Sequence, residues 1–574
     1  MIKKLQPLWA FLFYCLTTIF MTYPLAFHLS DSVIGGTGDN MYFLWLVKWY
    51  QQVILSGKWH PFFNPWMNYP QGWNLSTTDT SLASTLPGVP FSMAFGPIAG
   101  YNIALLLTFV LSGFFMYLWV RRLTKSEAAA LIAGALFAFS PNHMARLVAG
   151  HLNLCAEQWF PLYFWGLFDL LNPGKKFNWW TVLLTSLGLG AIAFTTMYYL
   201  YMTLIITLLI VLVYLILTRF KALGKKVFWV QLTATVVIAL PFLFFSLRPF
   251  VTLSEAGGIA SRSLEYANVY SASPTDFLLP STDHFLWGAA IGKAFDRSLW
   301  MEGTLYLGAV GLLLAAIAIV LNKKSENRWL IWAGLAAILT SVVLAMGIQL
   351  HWNNQVVIWQ VPPFLQQLLH RTQTPISLPS AWLFTHLPFY DKMRALMRFG
   401  VFATVFVPLL AGLGFDILQR RWSGKVRTLL TVILIALILF DFYPGSYAKQ
   451  LSQPKPRAVD LWLAGQPADG AVVQMPFTQS TDQVQLYYSL FFNKPFVGGF
   501  FNANQPSQYQ NIQPTLDAFP DANSIELLHQ LKVKYIVVDQ SAYSDFASEE
   551  ALMEKLGLVE MVKMDNEVVF TFDR

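Results

Sequence analysis

The run Pro97-Ile-Ala-Gly-Tyr-Asn-Ile-Ala-Leu-Leu-Leu-Thr-Phe-Val-Leu-Ser-Gly-Phe-Phe-Met-Tyr-Leu-Trp-Val120, followed at once by Arg121-Arg122, decides what kind of protein this is. It carries no charged side chain before the arginine pair. About 20 mostly apolar residues are enough for a helix to cross the hydrocarbon core. A helix also satisfies its own backbone polar groups there, where water cannot. Runs of the same kind recur at roughly 8–27, 128–146, 153–171, 178–196, 198–218, 227–247, 303–321, 329–347, 399–418 and 428–445. Together they predict about eleven spans.

Composition agrees. Hydrophobic residues make up 55% of the 574 and charged residues only 12%, where a soluble domain carries about 25% charged residues. The net charge of +7 does not point to nucleic acid, because the basic residues gather in short loops between apolar runs. Cys15 and Cys155 are the two cysteines, with no CxxC between them. That excludes a disulfide framework and a thiolate metal site. The first run sits behind Met1-Ile-Lys-Lys. It is longer than a signal-peptide core of about 7–15 residues, so it reads as a retained span.

Orientation follows from Lys and Arg. With the N-terminus in the cytoplasm, the cytoplasmic segments hold Lys3, Lys4, Arg121, Arg122, Lys125, Lys175, Lys176, Arg219, Lys221, Lys225, Lys226, Lys323, Lys324, Arg328, Arg420, Arg421, Lys425 and Arg427. Basic residues in short loops mark the cytoplasmic side. The other face is built from long loops at 28–96, 248–302 and 348–398, rich in Trp, Pro, Asn, Asp and His, and long loops of distinct composition carry function. After about residue 446 the chain turns polar. Ala471-Val-Val-Gln-Met, Val533-Lys-Tyr-Ile-Val-Val-Asp and Glu567-Val-Val-Phe-Thr-Phe read as strands, Asn523-Ser-Ile-Glu526 as a capping box and 548–555 as a helix. The expected fold class is therefore mainly α. A polytopic transmembrane helical bundle over 1–445 precedes a soluble extracytoplasmic α/β domain over 446–574, in a multi-pass protein of the cell (inner) membrane.

Chemistry, on this reading, belongs to the outer loops. The first contains Gly35-Gly-Thr-Gly-Asp39-Asn40. Glycines allow tight turns, and an Asp held there suits a general base or a metal ligand. No Lys-Ser/Thr follows, so this is not a phosphate loop of the Walker type. A plain turn with a solvated Asp is the alternative. Tyr42 to Tyr50 reads as a helix lying in the membrane interface. Trp59, His60, Asn64, Trp66, Asn68 and Trp73 suit either sugar stacking or an aromatic belt.

The second outer segment offers His143, His151 and Glu157, ionisable groups near membrane depth. They are either members of a metal site with Asp39 or hydrogen-bonded structural residues. Arg248, Arg262 and Glu265 come next, and the arginines match phosphate oxygens. Lys392, Arg394 and Arg398 stand before a span on the side where basic residues are not expected. Either an anionic lipid headgroup or simple snorkelling accounts for them.

Four features together resemble the GT-C superfamily of membrane glycosyltransferases, and more narrowly its YfhO-like branch. They are Gly38-Asp39-Asn40 after the first span, Ala149-Gly-His151-Leu-Asn after the third, Pro388-Phe-Tyr-Asp-Lys-Met-Arg394-Ala-Leu-Met-Arg398-Phe, and a tail with Val472-Val-Gln-Met-Pro and Lys494-Pro-Phe-Val-Gly-Gly-Phe. The resemblance implies an inverting transfer from a polyprenyl-phosphate sugar donor to a glycan, lipid or protein acceptor, with Asp39 as general base. It implies substrate contacts among Asn40, His151, Glu157, Arg262, Glu265, Lys392, Arg394 and Arg398. Many relatives pair two acids in the first loop. Here Asn40 takes the second place, so a second carboxylate comes from Asp79, Glu157 or Glu265, or is absent. A divalent cation, Mg or Mn, held by Asp39, His151 and Glu157 is a further expectation, with no nucleotide or redox cofactor. The competing classes are a lipid or polysaccharide transporter or flippase, and a non-catalytic envelope-assembly protein of the same fold.

Overall fold

A computed structural model describes residues 2–255, 259–321, 328–478, 482–499 and 505–573. Lys323, Lys324 and Phe500 lie outside them.

Among the described residues, seven helical segments are long and apolar enough to cross a membrane: Pro97–Thr124, Glu127–Val148, Met197–Thr218, Lys226–Glu255, Arg328–Ala345, Leu396–Gln419 and Gly424–Gln450. The other four expected spans are also helical. The helices there are Ile2–Met21, Trp159–Leu171, Trp179–Ala193 and Ala309–Leu321. The last three fall short of a full crossing length because irregular backbone replaces one end of each expected run. At 156–158, for instance, the chain breaks before Trp159. The chain is a multi-pass membrane protein built mostly of helices.

It divides into two compact units. The first comprises Met1–Phe27, Leu105–Arg248 and Ala260–Lys449. At its centre is Leu396–Gln419, 89% of whose apolar window is buried. Small residues allow this helix close neighbours. A side chain at Gly414 would strike the Leu314 carbonyl, and one at Gly412 would meet Val120 and Ala133. Where lipid is as apolar as leucine, such close backbone approach is what packs helices together. The Lys226–Glu255 helix is largely uncovered instead, with Val237, Leu240 and Phe245 exposed, as suits a helix facing lipid.

The second unit comprises His28–Ala104, Pro249–Ile259 and Gln450–Arg574. It thus joins the first long loop to the tail. Strand β1 (Val33–Ile34) pairs antiparallel with β2 (Leu451–Ser452). The loop and tail also exchange backbone hydrogen bonds: Asn68 N–H to Gly498 O at 2.9 Å and Phe496 N–H to Trp66 O at 2.7 Å. The tail forms one four-stranded sheet from β3 (Ala471–Met475), β4 (Val533–Asp539), β5 (Leu558–Met564) and β6 (Glu567–Phe572), in the order β5-β6-β4-β3. β3 and β4 run parallel, and the remaining pairs are antiparallel. β5 was not expected. Its sequence Leu-Val-Glu-Met-Val-Lys-Met carries charges at Glu560 and Lys563, three apart, and most of its side chains are exposed, so it lacks the two-residue alternation that marks a half-buried strand.

Two local readings need correction. The capping residue of the Ala522–Gln530 helix is Asp521, with Ser524 as its reciprocal partner, rather than Asn523. Asp521 Oδ1 accepts the Ser524 N–H at 2.7 Å, a bond that Asn523, already inside the helix, does not make. The stretch from Tyr42 is not an interfacial helix. It belongs to the helix Asp39–Ser56, whose residues Asn40 to Val47 are all buried. An interfacial helix buries one face, whereas two consecutive turns here are enclosed on every side by protein. Trp45 stacks on Trp73 at 5.6 Å and on Trp49 at 6.3 Å.

Candidate functional site

The Asp39 turn is built by its neighbours within the second unit. Gly35 has φ +86°, a conformation that a side chain disfavours. Its N–H donates to Gln450 O at 2.9 Å, and its carbonyl accepts from Ser452 Oγ at 2.6 Å. Asn40, 1% exposed, closes the turn. Its Oδ1 accepts the Gly38 N–H at 2.9 Å and its Nδ2 donates to the Gly36 carbonyl at 2.8 Å. A carboxylate at position 40 could keep the first bond but not the second, since it has no proton to give. Asn40 therefore shapes the turn. Asp39 is half-buried at the first position of its helix, where the helix dipole favours a negative charge.

Asp79 shares this unit. Its backbone carbonyl accepts from Tyr42 Oη at 3.2 Å, and Tyr42 also meets Thr78 Oγ1 at 3.0 Å. The segment carrying Asp79 is thereby tied to the first turn of the Asp39 helix. The aromatic and amide residues of this loop are divided. Trp73 is 2% exposed, and Asn64 and Asn68 are buried. Asn64 holds the backbone N–H groups of Trp66 and Met67. Trp59 and Trp66 remain exposed.

The first unit brings together residues from three distant segments. Glu302, on the short helix Trp300–Gly303, accepts Arg146 Nη2 at 2.7 Å and Arg398 Nη2 at 2.6 Å. Burial opposes a charge on Glu302, but the two guanidiniums outweigh it and hold the carboxyl well below the ordinary glutamate range. Arg398 also lies over the Tyr198 ring at 4.9 Å, and Arg146 Nη1 is 3.5 Å from His151 Nδ1. His151 is half-buried. Glu157 is fully buried, and neither carboxylate oxygen has a hydrogen-bond partner among the described residues. His143 has a structural role: its ring faces Ala138 O at 2.9 Å and Thr108 Oγ1 at 3.1 Å, and stacks on Phe109 at 3.7 Å. Glu302 was missed in the sequence. Its only local signal is an acid at the very edge of an apolar run.

A second cationic group forms where 261–270 meets 391–397. Arg262 N–H donates to Asp391 O at 2.9 Å, and its guanidinium lies over Tyr266 at 5.3 Å. Lys392 Nζ reaches Ser261 Oγ at 2.7 Å and Asp391 Oδ2 at 3.4 Å. Arg394, exposed, lies over Tyr270 at 5.8 Å. Arg262, Lys392 and Arg394 thus form a ledge backed by two tyrosines. Glu265 is exposed on the first turn of Leu264–Val269. Among the described residues, no three His, Cys, Asp or Glu converge so as to hold a metal ion.

A family model described as "Domain of unknown function (DUF6311)" matches residues 10–373. No curated protein matches the sequence. Similar solved structures include a mutant of the arabinofuranosyltransferase AftD from Mycobacteria, 11% identical, covering 99% of this chain and 41% of that one, with a TM-score of 0.53. Two others are the oligosaccharyltransferase AglB from Archaeoglobus fulgidus in complex with an inhibitory peptide and a dolichol-phosphate (14% identical, 98% and 74% covered, TM-score 0.45) and ArnT from Cupriavidus metallidurans bound to undecaprenyl phosphate (14%, 97% and 97%, 0.40). The likeness to AftD, of which this chain spans about two fifths, gives the fold. It is of the GT-C type that the sequence resembles. The comparisons do not support the narrower YfhO-like branch.

Proposed function

We propose that this chain, which belongs to the DUF6311 family, is a membrane glycosyltransferase that moves a sugar from a polyprenyl-phosphate donor to an acceptor outside the cytoplasm. The observation that carries this reading is the construction of the Asp39 turn in a chain with the fold of AftD. The turn that leads into this acid at the start of a helix is held by Asn40 and by the first strand of the tail. The cytoplasmic N-terminus and an outer tail complete the reading, on the strength of the basic-loop asymmetry.

Asp39 takes the proton of the acceptor hydroxyl. That oxygen attacks the anomeric carbon from the side opposite the phosphate. The bond from the anomeric carbon to the phosphate oxygen breaks, polyprenyl phosphate departs with the electron pair, and the anomeric configuration inverts. The leaving phosphate gains negative charge, which fixed cations stabilise. The ledge of Arg262, Lys392 and Arg394 is suited to that task. The Arg146–Glu302–Arg398 network fixes the arginine just beyond it. Asp79, in the same unit as Asp39, is the nearer choice for the second carboxylate that relatives place beside the first. Among the described residues no three His, Cys, Asp or Glu side chains converge on one point, and the step is written through the protein's own groups alone. The polyprenyl tail remains in lipid because leaving it is costly.

The test is transfer by purified protein in lipid vesicles, supplied with labelled polyprenyl-phosphate hexoses and pentoses. Labelled sugar on an acceptor, or slow donor hydrolysis, supports the assignment. Movement of intact donor across the bilayer without cleavage would assign a flippase instead. Neither cleavage nor movement would leave an assembly role.

A further inference from the structure

We infer that Ser281, Asp283, Asp441 and Tyr447 form a site for one divalent cation, calcium by preference, at the end of the Gly424–Phe442 helix. The site lies within the first unit, whereas Asp39 belongs to the second, and the inference does not rest on the catalytic reading.

The four residues are among those that line a cavity of about 10 Å³, which is room for one water-sized sphere. They come from two segments. In the loop, Ser281 Oγ accepts the Asp283 N–H at 3.1 Å and lies 3.4 Å from Asp283 Oδ2. Asp441 stands one residue before the helix ends. Its Oδ2 accepts Tyr306 Oη and the Ala309 N–H, both at 3.1 Å, so its carboxylate is held in place with lone pairs to spare. Gly445, at φ +95°, turns the chain beyond the helix. Tyr447 is then fixed by its N–H, which donates to Tyr23 O at 2.9 Å.

Charge asks for a cation there. Among the described residues, neither carboxylate has a lysine or arginine within ion-pair distance. His284 also lines the cavity, but its ring is committed elsewhere. Nδ1 accepts the N–H groups of Leu286 and Trp287, both at 3.1 Å. Nε2 faces the Phe440 carbonyl at 3.1 Å and so carries the proton. The imidazole is therefore neutral and offers no free nitrogen. Partly buried carboxylates are normally paired or bound to a metal.

Tyr447 points the same way independently. It is 2% exposed, and its hydroxyl has no hydrogen-bond partner among the described residues. A buried hydroxyl left unpaired is costly. A single water would satisfy it but would leave both acids uncompensated. A divalent cation answers both. The donors are all oxygen, which selects a hard ion over zinc. Two carboxylates and two hydroxyls supply up to about six oxygens, within the range of about 6–8 that calcium takes. Magnesium keeps several of its waters, and a cavity for one water-sized sphere does not admit them.

The test uses the full chain, purified in detergent and stripped with EDTA, with calcium chloride alone as the probe. Titration calorimetry of the wild type should show one bound equivalent. Calcium should also raise the thermal transition, because a ligand that binds only the folded state stabilises it. Asp283→Asn and Asp441→Asn keep size and lie on separate segments. Each should weaken calcium binding about tenfold or more and abolish the shift, while its transition in EDTA stays at or above that of the wild type. Asp39→Asn should leave the calcium equivalent in place. Magnesium at the same concentration should give a smaller shift. No calcium bound by the wild type, or binding unchanged in the two Asp→Asn variants of this site, would overturn the inference and leave the cavity to water. Loss of calcium in Asp39→Asn would move the ion to the other unit and overturn it too. An equal shift with magnesium would overturn the preference for calcium. If one of the two site variants folds poorly, the other decides.

Discussion

Glu302 receives both guanidiniums: Arg146 Nη2 donates to Oε2 at 2.7 Å and Arg398 Nη2 to Oε1 at 2.6 Å, with Arg398 Nε 3.2 Å from each oxygen. Arg146 is 2% exposed, and the other two side chains are 10% exposed. A carboxylate between the buried Arg146 and the half-buried Arg398 compensates both, so removing it leaves like charges facing each other. Breaking a buried pair by deleting one partner costs about 3–5 kcal/mol. Glu302→Ala is therefore expected to lower the thermal transition of the detergent-solubilised protein substantially. Glu302→Gln, which keeps the shape, should fall between. A wild-type transition in Glu302→Ala would show that the network contributes nothing to stability.

The same network has a pH signature. The Glu302 carboxyl is held well below its ordinary value of 4.5, so the folded state binds fewer protons there than the unfolded chain. Its stabilisation is fully present above about pH 4.5 and is lost progressively as the pH falls below that value. The gap between wild type and Glu302→Gln should stay constant from pH 7 to about 5 and narrow on further acidification. A gap that changes between pH 7 and 6 would contradict the assignment.

Asp39→Asn keeps size and removes the base. General-base catalysis contributes about 10²–10⁴-fold, so sugar transfer should fall by that order while the thermal transition stays in place. Unchanged transfer would remove Asp39 from the mechanism.

Asn40 gives a different outcome at the neighbouring position. Asn40→Asp loses the donor to Gly36 and sets a carboxylate against that carbonyl. An unsatisfied buried group costs about 1–3 kcal/mol, so this change should destabilise the protein even though it creates the acidic pair that the family resemblance implies. Higher stability or higher transfer in Asn40→Asp would show that the side chain is not needed as a donor.

The cationic ledge should be read in donor affinity. A hydrogen bond to a charged group is worth about 1.5–3 kcal/mol, so Arg262→Ala or Arg394→Ala should raise the KM for a polyprenyl-phosphate sugar about tenfold or more. Acceptor KM should hardly move. An effect confined to the acceptor would reassign the ledge.

What the sequence made legible follows from how far each signal reaches along the chain. Apolar runs such as Pro97–Thr124 announce themselves within one window, because lipid acts on every residue of the helix alike. β3, β4 and β6 were legible for the same reason, as short buried runs. The pairing of β1 with β2 was not legible, since Val33 and Ser452 carry no local mark of each other. Glu302 was invisible because its partners lie on other segments, and one acid beside a span resembles any loop acid. The buried helix after Asp39 was misjudged because an aromatic-rich helix looks the same in lipid headgroups as in a protein core. Only the tail that covers it decides between them.

The pairing of Gly35 with Gln450 and Ser452 also sets an order of events during synthesis. A ribosome makes the Asp39 turn early, yet the groups that fix its backbone arrive only after every span has been threaded into the membrane. Until then the turn lacks its clamp, and a chain truncated before 450 never acquires it. The tail thus completes the geometry of the first long loop, and a half-made protein carries an unformed Asp39 turn.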